Sequence, residues 1–408
     1  MKCRFCKTEL TSTFIDLVNS PASNSFLNAE ELNEPETFYP LKVYTCSACF
    51  LVQVDEYKKS DAIFNSDYVY FSSYSTSWLK HAKAYTELMT KRFGYNNKSL
   101  VIEVASNDGY LLQYFKEQQI PVLGIEPTAN TAAVAISKGI ESVVDFFGVR
   151  LANELVAKNI KADLLLGNNV LAHVPDIVDF VAGMKIILKE QGVVTMEFPH
   201  LMQLVDNNQF DTIYHEHFSY LSFTTVQQIF ASQELELFDV EEIPTHGGSL
   251  RIYAKHKEDS SKAISTNVEK LLAKEEGKGM NTLAYYDNFQ QKALTIKYNL
   301  TEFLIQQKKA GKKVAGYGAA AKGNTLLNYC GIKNDLIDFV VDANPHKQNK
   351  FLPASHIPVY NEQHLKDIEP DYVIILPWNL REEITEQLSY IKKWNGHFVV
   401  AVPALQII

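Results

Sequence analysis

Four of the five cysteines form two Cys-x-x-Cys pairs, Cys3/Cys6 and Cys46/Cys49. In a reducing compartment such pairs are typical of metal ligands rather than of disulfides. The two-residue spacer lets both thiolates of a pair face one ion, and two pairs supply the tetrahedral set that Zn²⁺ prefers. Because four thiolates leave no open coordination position, the sequence predicts one structural zinc per chain; the alternative is two unrelated cysteine turns. Cys330 stands alone and is expected to be a small buried hydrophobe.

The segment Tyr214-His215-Glu216-His217-Phe218 is the densest ionisable cluster of the chain. Imidazole titrates near a pH of about 6.5, so a histidine there can act as a base or an acid near neutral pH. A catalytic zinc motif needs two histidines one helical turn apart, whereas His215 and His217 are only two residues apart. The cluster therefore indicates acid–base chemistry rather than metal binding; the alternative is a pair of surface histidines beside Glu216.

His173 is a second candidate for acid–base chemistry. It follows Asn168-Asn169 closely and is expected near the same edge of a predicted sheet. Its alternative role is structural, in the N-terminal region of a helix ahead of Pro175.

A turn typical of nucleotide sites follows the strand predicted at residues 100–105. This turn is Ser106-Asn107-Asp108-Gly109, and a helix is expected from Tyr110. A strand, a sharp glycine turn and a helix form a nucleotide-binding site at the carboxyl end of the strand. A dinucleotide pattern, G-x-G-x-x-G, carries further glycines that approach a pyrophosphate, whereas this turn has only one. S-adenosylmethionine (SAM) has no pyrophosphate, so the turn favours SAM over a dinucleotide.

Further polar residues follow the predicted strand ends in chain order. Glu126, 17 residues after Gly109, can accept hydrogen bonds from both ribose hydroxyls. Asp145-Phe146 can form a hydrogen bond to the adenine edge and cover it. Asn168-Asn169 are expected at the amino-acid portion of SAM. Each of these residues alone could be a turn former, so they indicate SAM only as an ordered set. The predicted cofactor residues are Glu103, Asp108, Gly109, Glu126, Asp145, Phe146, Asn168 and Asn169.

A second ligand-binding pattern lies in the C-terminal part of the chain. Residues 316–324, GYGAAAKGN, follow a predicted strand and open a predicted helix. Small residues let backbone amides approach a diphosphate, and a helix N-terminus favours negative charge; the alternative is close helix–sheet packing. Asp342, at the end of the next predicted strand, is placed to hold a ribose, and Lys347 adds positive charge. The predicted substrate residues are Gly316, Gly318, Lys322, Asn324, Asp342 and Lys347.

These residues are positioned by two predicted α/β units. The runs SLVIEVAS, PVLGIEP, ADLLLGNNVL and QGVVTMEFPH alternate with helical stretches, which is typical of a parallel sheet wound with helices. The runs Leu235–Ile243 and Ser249–His256 have no helix between them and fit an antiparallel hairpin that closes the sheet. VAGYGAAAKG, LIDFVVDANP, DYVIILPW and HFVVAVPA predict a second, smaller doubly wound domain. The predicted divisions are residues 1–65 for the zinc unit, 66–257 for the SAM domain, 258–310 for a helical, solvated connection and 311–408 for the C-terminal domain.

Composition and charge exclude several classes of function. At 408 residues the chain is long enough for about two to three domains. A hydrophobic share of 46% with 21% charged residues is that of a globular protein with a large core. The net charge of −9 argues against broad nucleic-acid binding. Because the N-terminal segment MKCRFCKTEL has no apolar h-region and no apolar run approaches the ~20 residues of a membrane span, we expect a cytoplasmic monomer or homodimer without membrane partners.

Seven segments together resemble the nucleotide-sugar C-methyltransferases, the enzymes that make branched deoxysugars. The segments are the cysteine-containing N-terminus, EVASNDGYLL, NNVLAHVPD, EFPHLMQLV, YHEHFSYLS, THGGSLR and GYGAAAKGN, and the resemblance covers about residues 1–405. It implies an α/β chain in which a class I SAM-methyltransferase domain of Rossmann-like fold lies between the zinc unit and a C-terminal domain that holds a nucleotide diphosphate. It also implies that Tyr214, Glu216 and His217 serve the active site and that Asn168-Asn169 and His173 line the SAM and substrate pocket.

The reaction implied by this resemblance is SAM-dependent methylation, at C3 or C5, of a nucleotide-linked 4-keto-deoxysugar; TDP is the expected nucleotide, and another nucleotide stays open. The ketone acidifies the protons of its neighbouring carbons; a base removes one, the enolate oxygen needs a donor, and the carbanion attacks the SAM methyl group. His217 is the predicted base, Tyr214 and His173 are polar groups at the enolate, and Glu216 is the orienting acid. Two alternatives stay open: an O- or N-methyltransferase of a nucleotide sugar, and a non-catalytic zinc and Rossmann binding module.

Overall fold

The computed structural model describes residues 1–60, 64 and 70–408, and the strands of this part of the chain form three sheets. The predicted boundary between residues 65 and 66 lies outside the described residues. The strands are β1 (Ser12–Ser20), β2 (Tyr39–Thr45), β3 (Val52–Val54), β4 (Val101–Val104), β5 (Val122–Ile125), β6 (Ser142–Val143), β7 (Ala162–Asn168), β8 (Leu188–Pro199), β9 (Ser219–Tyr220), β10 (Leu235–Ile243), β11 (Ser249–His256), β12 (Val314–Tyr317), β13 (Phe339–Val341), β14 (Val359–Tyr360), β15 (Tyr372–Ile375), β16 (His397–Val400) and β17 (Gln406–Ile407).

The helices connect and cover these sheets. Among the described residues, no helix is both long and apolar enough to cross a membrane. The α-helices are α1 (Thr76–Phe93), α2 (Leu112–Glu117), α3 (Ala129–Ser137), α4 (Val149–Ala157), α5 (Ile177–Ile187), α6 (Leu201–Asp206), α7 (Phe223–Ser232), α8 (Thr266–Gly277), α9 (Phe289–Lys309), α10 (Ala321–Cys330), α11 (Gln363–Ile368) and α12 (Arg381–Gln387).

The first sheet belongs mainly to the zinc unit and has the strand order β1-β2-β3-β9, with neighbouring strands antiparallel. Buried residues alternate along β2, as at Leu41 and Val43, because one face of the sheet packs inward. The edge strand β9 comes from a distant part of the chain, directly after the predicted catalytic cluster. Val52 pairs with Tyr220 in this register, so the zinc unit holds the end of that cluster.

The second sheet has the strand order β10-β11-β8-β7-β4-β5-β6. Strands β4 to β8 run parallel to one another, and β11 pairs antiparallel with both β8 and β10, which confirms the predicted hairpin. The central strands are near-continuous apolar runs because helices cover both faces of the sheet. One core cluster contains side chains of α4, α5 and α7, and another contains side chains of α1 and α2. This is the predicted class I methyltransferase arrangement.

The third sheet has the strand order β14-β13-β12-β15-β16-β17 and is parallel except for β17. The chain enters at β12 and continues first on one side of it and then on the other. This reversal leaves a crevice at the carboxyl ends of β12 and β15, where α/β sheets bind ligands. Helix α10 begins at Ala321, shortly beyond that end of β12. The predicted second, smaller doubly wound domain is therefore confirmed.

Helices α8 and α9 lie in the predicted connection, but the expectation that this region is a solvated face is wrong for α9. One stripe of α9 is buried at helical spacing, at Phe289, Ala293, Ile296 and Leu300. These side chains share a hydrophobic core with β1 and β2 of the first sheet and with β12 and α10 of the third. Phe14 of β1 stacks on Phe289 with 4.6 Å between the ring centroids. The zinc unit and the C-terminal domain therefore pack on each other through α9.

Candidate active site

The four predicted zinc ligands converge on one point. The sulfur atoms of Cys3, Cys6, Cys46 and Cys49 all lie within 4.8 Å of one another. The distance is 3.6 Å between the sulfurs of Cys3 and Cys49 and 3.4 Å between those of Cys6 and Cys46. Four sulfurs at the usual Zn–S distance of about 2.3 Å stand about 3.8 Å apart in a tetrahedron. Gln53 Nε2 donates to Cys3 Sγ at 3.2 Å, so the donor set and its support fit a closed, structural zinc site.

Both Cys-x-x-Cys pairs have the same backbone geometry. The N–H of Lys7 donates to the carbonyl of Cys3, and the N–H of Phe50 donates to the carbonyl of Cys46, each at 3.0 Å. Lys7 and Phe50 both have a left-handed φ, of 64° and 57°. The chain therefore turns back over each pair of thiolates in the same way, which is what presents four sulfurs to one ion.

A cavity of about 670 Å³ opens where parts of all three sheets meet. Its volume lies within the range of about 300–1,000 Å³ that is usual for small-molecule sites. The carboxyl ends of β4, β5, β6 and β7 contribute to its wall, as do the loop before β9 and the N-terminus of α10. The predicted site residues on this wall are Glu126, Asp145, Phe146, Asn168, Asn169, His173, Tyr214, Glu216, His217, Lys322 and Lys347.

The turn after β4 has an unusual backbone conformation. Ala105, Asn107 and Gly109 have positive φ values of 55°, 49° and 75°. A Cβ at position 109 would stand 2.5 Å from Ile140 Cδ1, so the turn needs glycine there. This conformation directs the Asn107 N–H to Glu126 Oε2, at 2.9 Å.

Glu126 is buried beside this turn at the carboxyl end of β5. Besides the bond from Asn107, its Oε1 accepts from the N–H of Thr128 at 2.9 Å. Burial raises the pKa of Glu126, and these hydrogen bonds act in the opposite direction. Because a carboxylate oxygen can accept more than one hydrogen bond, Glu126 fits a ligand with two hydroxyls. Asp145, by contrast, is held at 2.7 Å by the exposed side chain of Arg150.

Asn168 is the last residue of β7, and neither polar atom of its amide has a hydrogen-bond partner among the described residues. An unsatisfied buried polar group costs about 1–3 kcal/mol, so such groups are nearly always paired. Because Asn168 lines the cavity, this amide marks its wall as a site for a polar ligand. The strand ends therefore fit SAM at the carboxylate of Glu126 and at the amide of Asn168.

His217 has a defined tautomer. Its Nδ1 lies 2.9 Å from the carbonyl oxygen of Thr212, and because a carbonyl only accepts, Nδ1 carries the proton and Nε2 the lone pair. The ring centroid lies 4.6 Å from that of His173 and 4.0 Å from that of Tyr214. Burial, followed by repulsion from His173, holds the pKa of His217 well below 6.5. The imidazole is therefore neutral at physiological pH.

Three parts of the molecule hold this cluster. The N–H of Val54 in β3 donates to the carbonyl of Phe218 at 3.1 Å, and the N–H of Phe218 donates to the carbonyl of Ala172 at 2.8 Å. Thr325 Oγ1, on α10, donates to the carbonyl of Ile213 at 2.9 Å. The zinc unit, the loop after β7 and the C-terminal domain therefore fix the position of His217 together.

Glu216 and His215 have different surroundings. Glu216 lines the cavity, accepts from Asn24 Nδ2 at 2.7 Å, and has its pKa raised by burial. His215 is buried against the edge of Tyr39, and its Nε2 donates to the carbonyl of Pro40 at 3.2 Å. The two-residue spacing thus separates His215 from His217, and the two rings do not form a metal pair.

Lys322 and Lys347 bring positive charge from the C-terminal domain to the cavity. Lys322 Nζ donates to the neutral side chain of Asn379 at 2.7 Å and lies 4.7 Å from the ring centroid of Trp378. Lys347 Nζ donates to the carbonyl of Ala319 at 2.8 Å. Burial lowers the pKa of Lys322. The charge of Asp211 acts against this shift, and Asp342 Oδ2 lies 3.8 Å from Lys347 Nζ; an anionic ligand in the cavity would further stabilise both ammonium groups.

Comparison with known proteins assigns the family. Family models match the chain at residues 3–64 ("Putative zinc binding domain"), 78–240 ("Methyltransferase domain") and 244–403 ("C-methyltransferase C-terminal domain"). The C-methyltransferase NovU of Streptomyces niveus is 31% identical over 407 residues, which are 100% of this chain and 96% of that protein. The chain belongs to the C-methyltransferase family. This C-methyltransferase is an enzyme that uses SAM, and its four N-terminal cysteines bind zinc.

These matches confirm the predicted family, enzyme class and cofactors, and the alternative of a non-catalytic binding module is wrong. Solved structures resemble part of the chain only. The match to the PH0226 protein of Pyrococcus horikoshii covers 46% of this chain and 95% of the PH0226 chain, with 14% identity and a TM-score of 0.39. A SAM-dependent methyltransferase of Clostridium acetobutylicum matches 44% and 92% with 12% identity and a TM-score of 0.35.

Several predicted residues of the C-methyltransferase lie off the cavity wall as the described residues form it. Asn324 Nδ2 donates to the carbonyl of Ser23 at 2.6 Å and so holds the loop before Asn24. Asp342 Oδ2 accepts from the N–H of Ala319 at 2.7 Å and fixes the turn after β12. Their direct contact with a ligand stays a prediction, as it does for the other residues of this group, which are Glu103, Asp108, Gly109, Gly316 and Gly318.

The cavity is also lined by residues for which no role was predicted, above all Asn24, Trp78 and His246. Asn24 and Trp78 carry no local signal, because only the packing of the zinc unit and of α1 on the sheet brings them to the cavity. His246 did carry a signal. It precedes two successive glycines between the two strands of the predicted hairpin, a pattern that marks a special turn.

Proposed function

We propose that this C-methyltransferase transfers a methyl group from SAM to C3 or C5 of a nucleotide-diphosphate-linked 4-keto-deoxysugar, TDP being the expected nucleotide. The observation that carries the proposal is one cavity that contains a neutral imidazole, two lysines and the cofactor strand ends. A sugar carbon becomes a nucleophile only if a neighbouring ketone acidifies its proton and a base removes it. A diphosphate requires cations, which the C-terminal domain supplies.

His217 is the base in this proposal. Its hydrogen bond to the Thr212 carbonyl leaves the lone pair on Nε2, and its low pKa keeps that lone pair free at neutral pH. The C–H bond beside the ketone breaks, its proton passes to Nε2, and its electron pair forms the enolate. A general base contributes about 10²–10⁴ in rate. Because a base of low pKa is a weak one, the enolate oxygen needs strong stabilisation.

Tyr214 and His173 supply polar groups beside the base. Burial raises the pKa of Tyr214 well above 10, so its hydroxyl stays protonated and donates. Burial lowers the pKa of His173 to about 4, so this imidazole is neutral. Preorganised donors at a developing oxyanion lower the barrier without reorganisation. Glu216, fixed by Asn24, is the orienting acid for the sugar.

The two ligands occupy different walls in this proposal. SAM supplies, when bound, a methyl group on a positively charged sulfur. Glu126 holds its ribose and Asn168 its amino-acid portion, which aligns the methyl group with the substrate carbon. Lys322 and Lys347 hold the diphosphate of the substrate. Membership of a C-methyltransferase family favours carbon as the acceptor over oxygen or nitrogen.

The test is incubation of the purified zinc protein with SAM and a panel of nucleotide 4-keto sugars, followed by mass spectrometry and NMR of the product. The proposal expects a gain of one methyl group, joined by a carbon–carbon bond at C3 or C5. Methyl transfer to oxygen or nitrogen, or turnover of sugars without a ketone in preference to keto sugars, would contradict it.

A further inference from the structure

His246 lies between β10 and β11 and lines the same cavity as His173 and His217. Its Nε2 is 2.8 Å from Asn169 Nδ2. Because an amide nitrogen only donates, Nε2 accepts this bond and Nδ1 carries the proton. No described residue hydrogen-bonds that Nδ1, and it is not sealed from solvent. His246 therefore presents a free N–H donor, which is the complement of the free lone pair on His217.

The turn holds His246 in a backbone conformation that costs energy. His246, Gly247 and Gly248 have successive φ values of 55°, 89° and 113°, and a non-glycine residue with positive φ is uncommon. Such strain persists only where the surroundings impose it, and it is concentrated at active sites. A Cβ at position 247 would stand 2.5 Å from Trp378, and one at position 248 would stand 2.6 Å from Gln203. The turn is thus pressed between the C-terminal domain and α6.

The surroundings of His246 hold its ring on the cavity wall. Trp78 contacts its ring edge-on with 5.1 Å between the centroids. Burial lowers the pKa of His246 to about 4, and the charge of Lys322 acts in the same direction. The charge of a protonated His246 would in turn lower the pKa of His217. The neutral ring therefore contacts Asn169 on the cofactor wall and faces the cavity that His217 and Lys322 also line.

We propose that His246 is a third catalytic histidine, which donates its Nδ1–H to the ketone oxygen of the substrate. This role rests on the function proposed above. As the C–H bond breaks, its proton passes to His217 Nε2 and its electron pair delocalises onto the ketone oxygen. The hydrogen bond from His246 strengthens as that oxygen becomes negative, and His246 keeps its proton. The strained turn is what aims this donor into the cavity.

The test compares His246→Gly with His246→Asn in the full-length zinc protein. Both replacements tolerate positive φ, so both variants should fold. Deuterium exchange into the substrate is measured in D₂O with S-adenosylhomocysteine present, and methyl transfer is measured at saturating SAM. His246→Gly should lose about 10²–10³-fold in both rates, the usual effect of removing one oxyanion donor. His246→Asn should stay within about tenfold of the wild type, because its amide nitrogen takes the place of Nδ1.

Glu234→Gly is the matched control for the backbone. Glu234 also has a positive φ, of 54°, but it is exposed at the other end of β10. Both glycine variants should fold because glycine adopts positive φ readily, yet only His246→Gly should lose activity.

Two results would overturn the role of His246 alone: wild-type rates in His246→Gly, or equal losses in the glycine and asparagine variants. A wild-type enzyme that exchanges no deuterium with any nucleotide 4-keto sugar would overturn the proposed function, and this role with it.

Discussion

The zinc cluster and the catalytic cavity are built in opposite ways. The four zinc ligands lie within the first 49 residues, in two short motifs that each close a backbone turn of their own. The cavity takes its wall from strand ends of one sheet, a loop that ends in a second sheet, and a helix of a third domain. A local motif can thus be recognised by spacing, whereas a site of this kind exists only after the domains have packed.

The two regions are nevertheless connected. Arg4, inside the first Cys-x-x-Cys pair, donates from Nη1 to the carbonyl of Pro175 at 2.7 Å. Its guanidinium also lies 5.4 Å from the ring centroid of Phe218. Pro175 follows the turn that bears His173, and Phe218 directly follows His217. The first cysteine pair therefore supports both histidine loops.

Loss of zinc should have the largest effect on both regions. Zinc binding contributes about 10–16 kcal/mol to the folding of small zinc domains. Cys46→Ser should release the metal, unpair β3 from β9 and abolish methyl transfer, while the methyltransferase sheet stays folded. Metal analysis, hydrogen exchange and activity measure these effects. Cys330→Ala is the control and should keep one zinc per chain. A zinc-free variant with full activity would show that the catalytic cavity does not depend on the zinc cluster.

Loss of the positive charge of Lys322, in the C-terminal domain, should have the next largest effect. Lys322→Met removes a half-buried cation from the cavity, so the KM for the nucleotide sugar should rise about 10–100-fold, as expected for a charged hydrogen bond of about 1.5–3 kcal/mol. Lys366 is the matched control because it also lies over an aromatic ring, 4.8 Å from the centroid of Tyr390, but off the cavity wall. Equal KM values for Lys322→Met and Lys366→Met would contradict a role of Lys322 in substrate binding.

The cofactor wall should respond separately from the substrate wall. Glu126→Ala removes the acceptor for the ribose hydroxyls, and SAM affinity in calorimetry should fall about tenfold, or about 1.4 kcal/mol. Glu154→Ala, on the exposed side of α4, should leave that affinity unchanged. Unchanged SAM binding in Glu126→Ala would show that the ribose lies elsewhere.

Loss of the contacts that Arg4 makes with the two histidine loops should have the smallest of these effects. Arg4→Ala should lower kcat severalfold through displacement of the histidine loops, with one zinc still bound and with SAM affinity retained. Lys2→Ala, which changes an exposed side chain beside the same cysteine pair, is the control. A loss of SAM affinity equal to the loss of kcat would point to general unfolding instead.

Local patterns predicted what local geometry determines. The cysteine spacing, the β10–β11 hairpin and the strand ends bearing Glu126 and Asn168 all follow from a few adjacent residues. The sequence could not predict that β9 joins the zinc sheet, because a strand of two residues has no pattern of its own. The bond from Asn24 to Glu216 spans 192 residues, and the buried stripe of α9 faces partners from two domains. Such contacts depend on packing, which periodicity does not encode.

The central claim is that His217 removes a proton from carbon, and solvent exchange tests it most directly. In D₂O the wild-type enzyme should exchange deuterium into one position beside the ketone, and His217→Asn should lose exchange and methyl transfer together, by about 10²–10⁴, with SAM binding retained. Protonated His217 cannot accept a proton, and burial holds its pKa well below 6.5. The wild-type rate should therefore stay level as the pH falls through 6.5 and should decline only at the lower pH at which His217 takes up a proton. Near-wild-type rates in His217→Asn would contradict the assignment and favour His173 as the base, and methyl transfer without any exchangeable carbon proton would contradict the enolate itself.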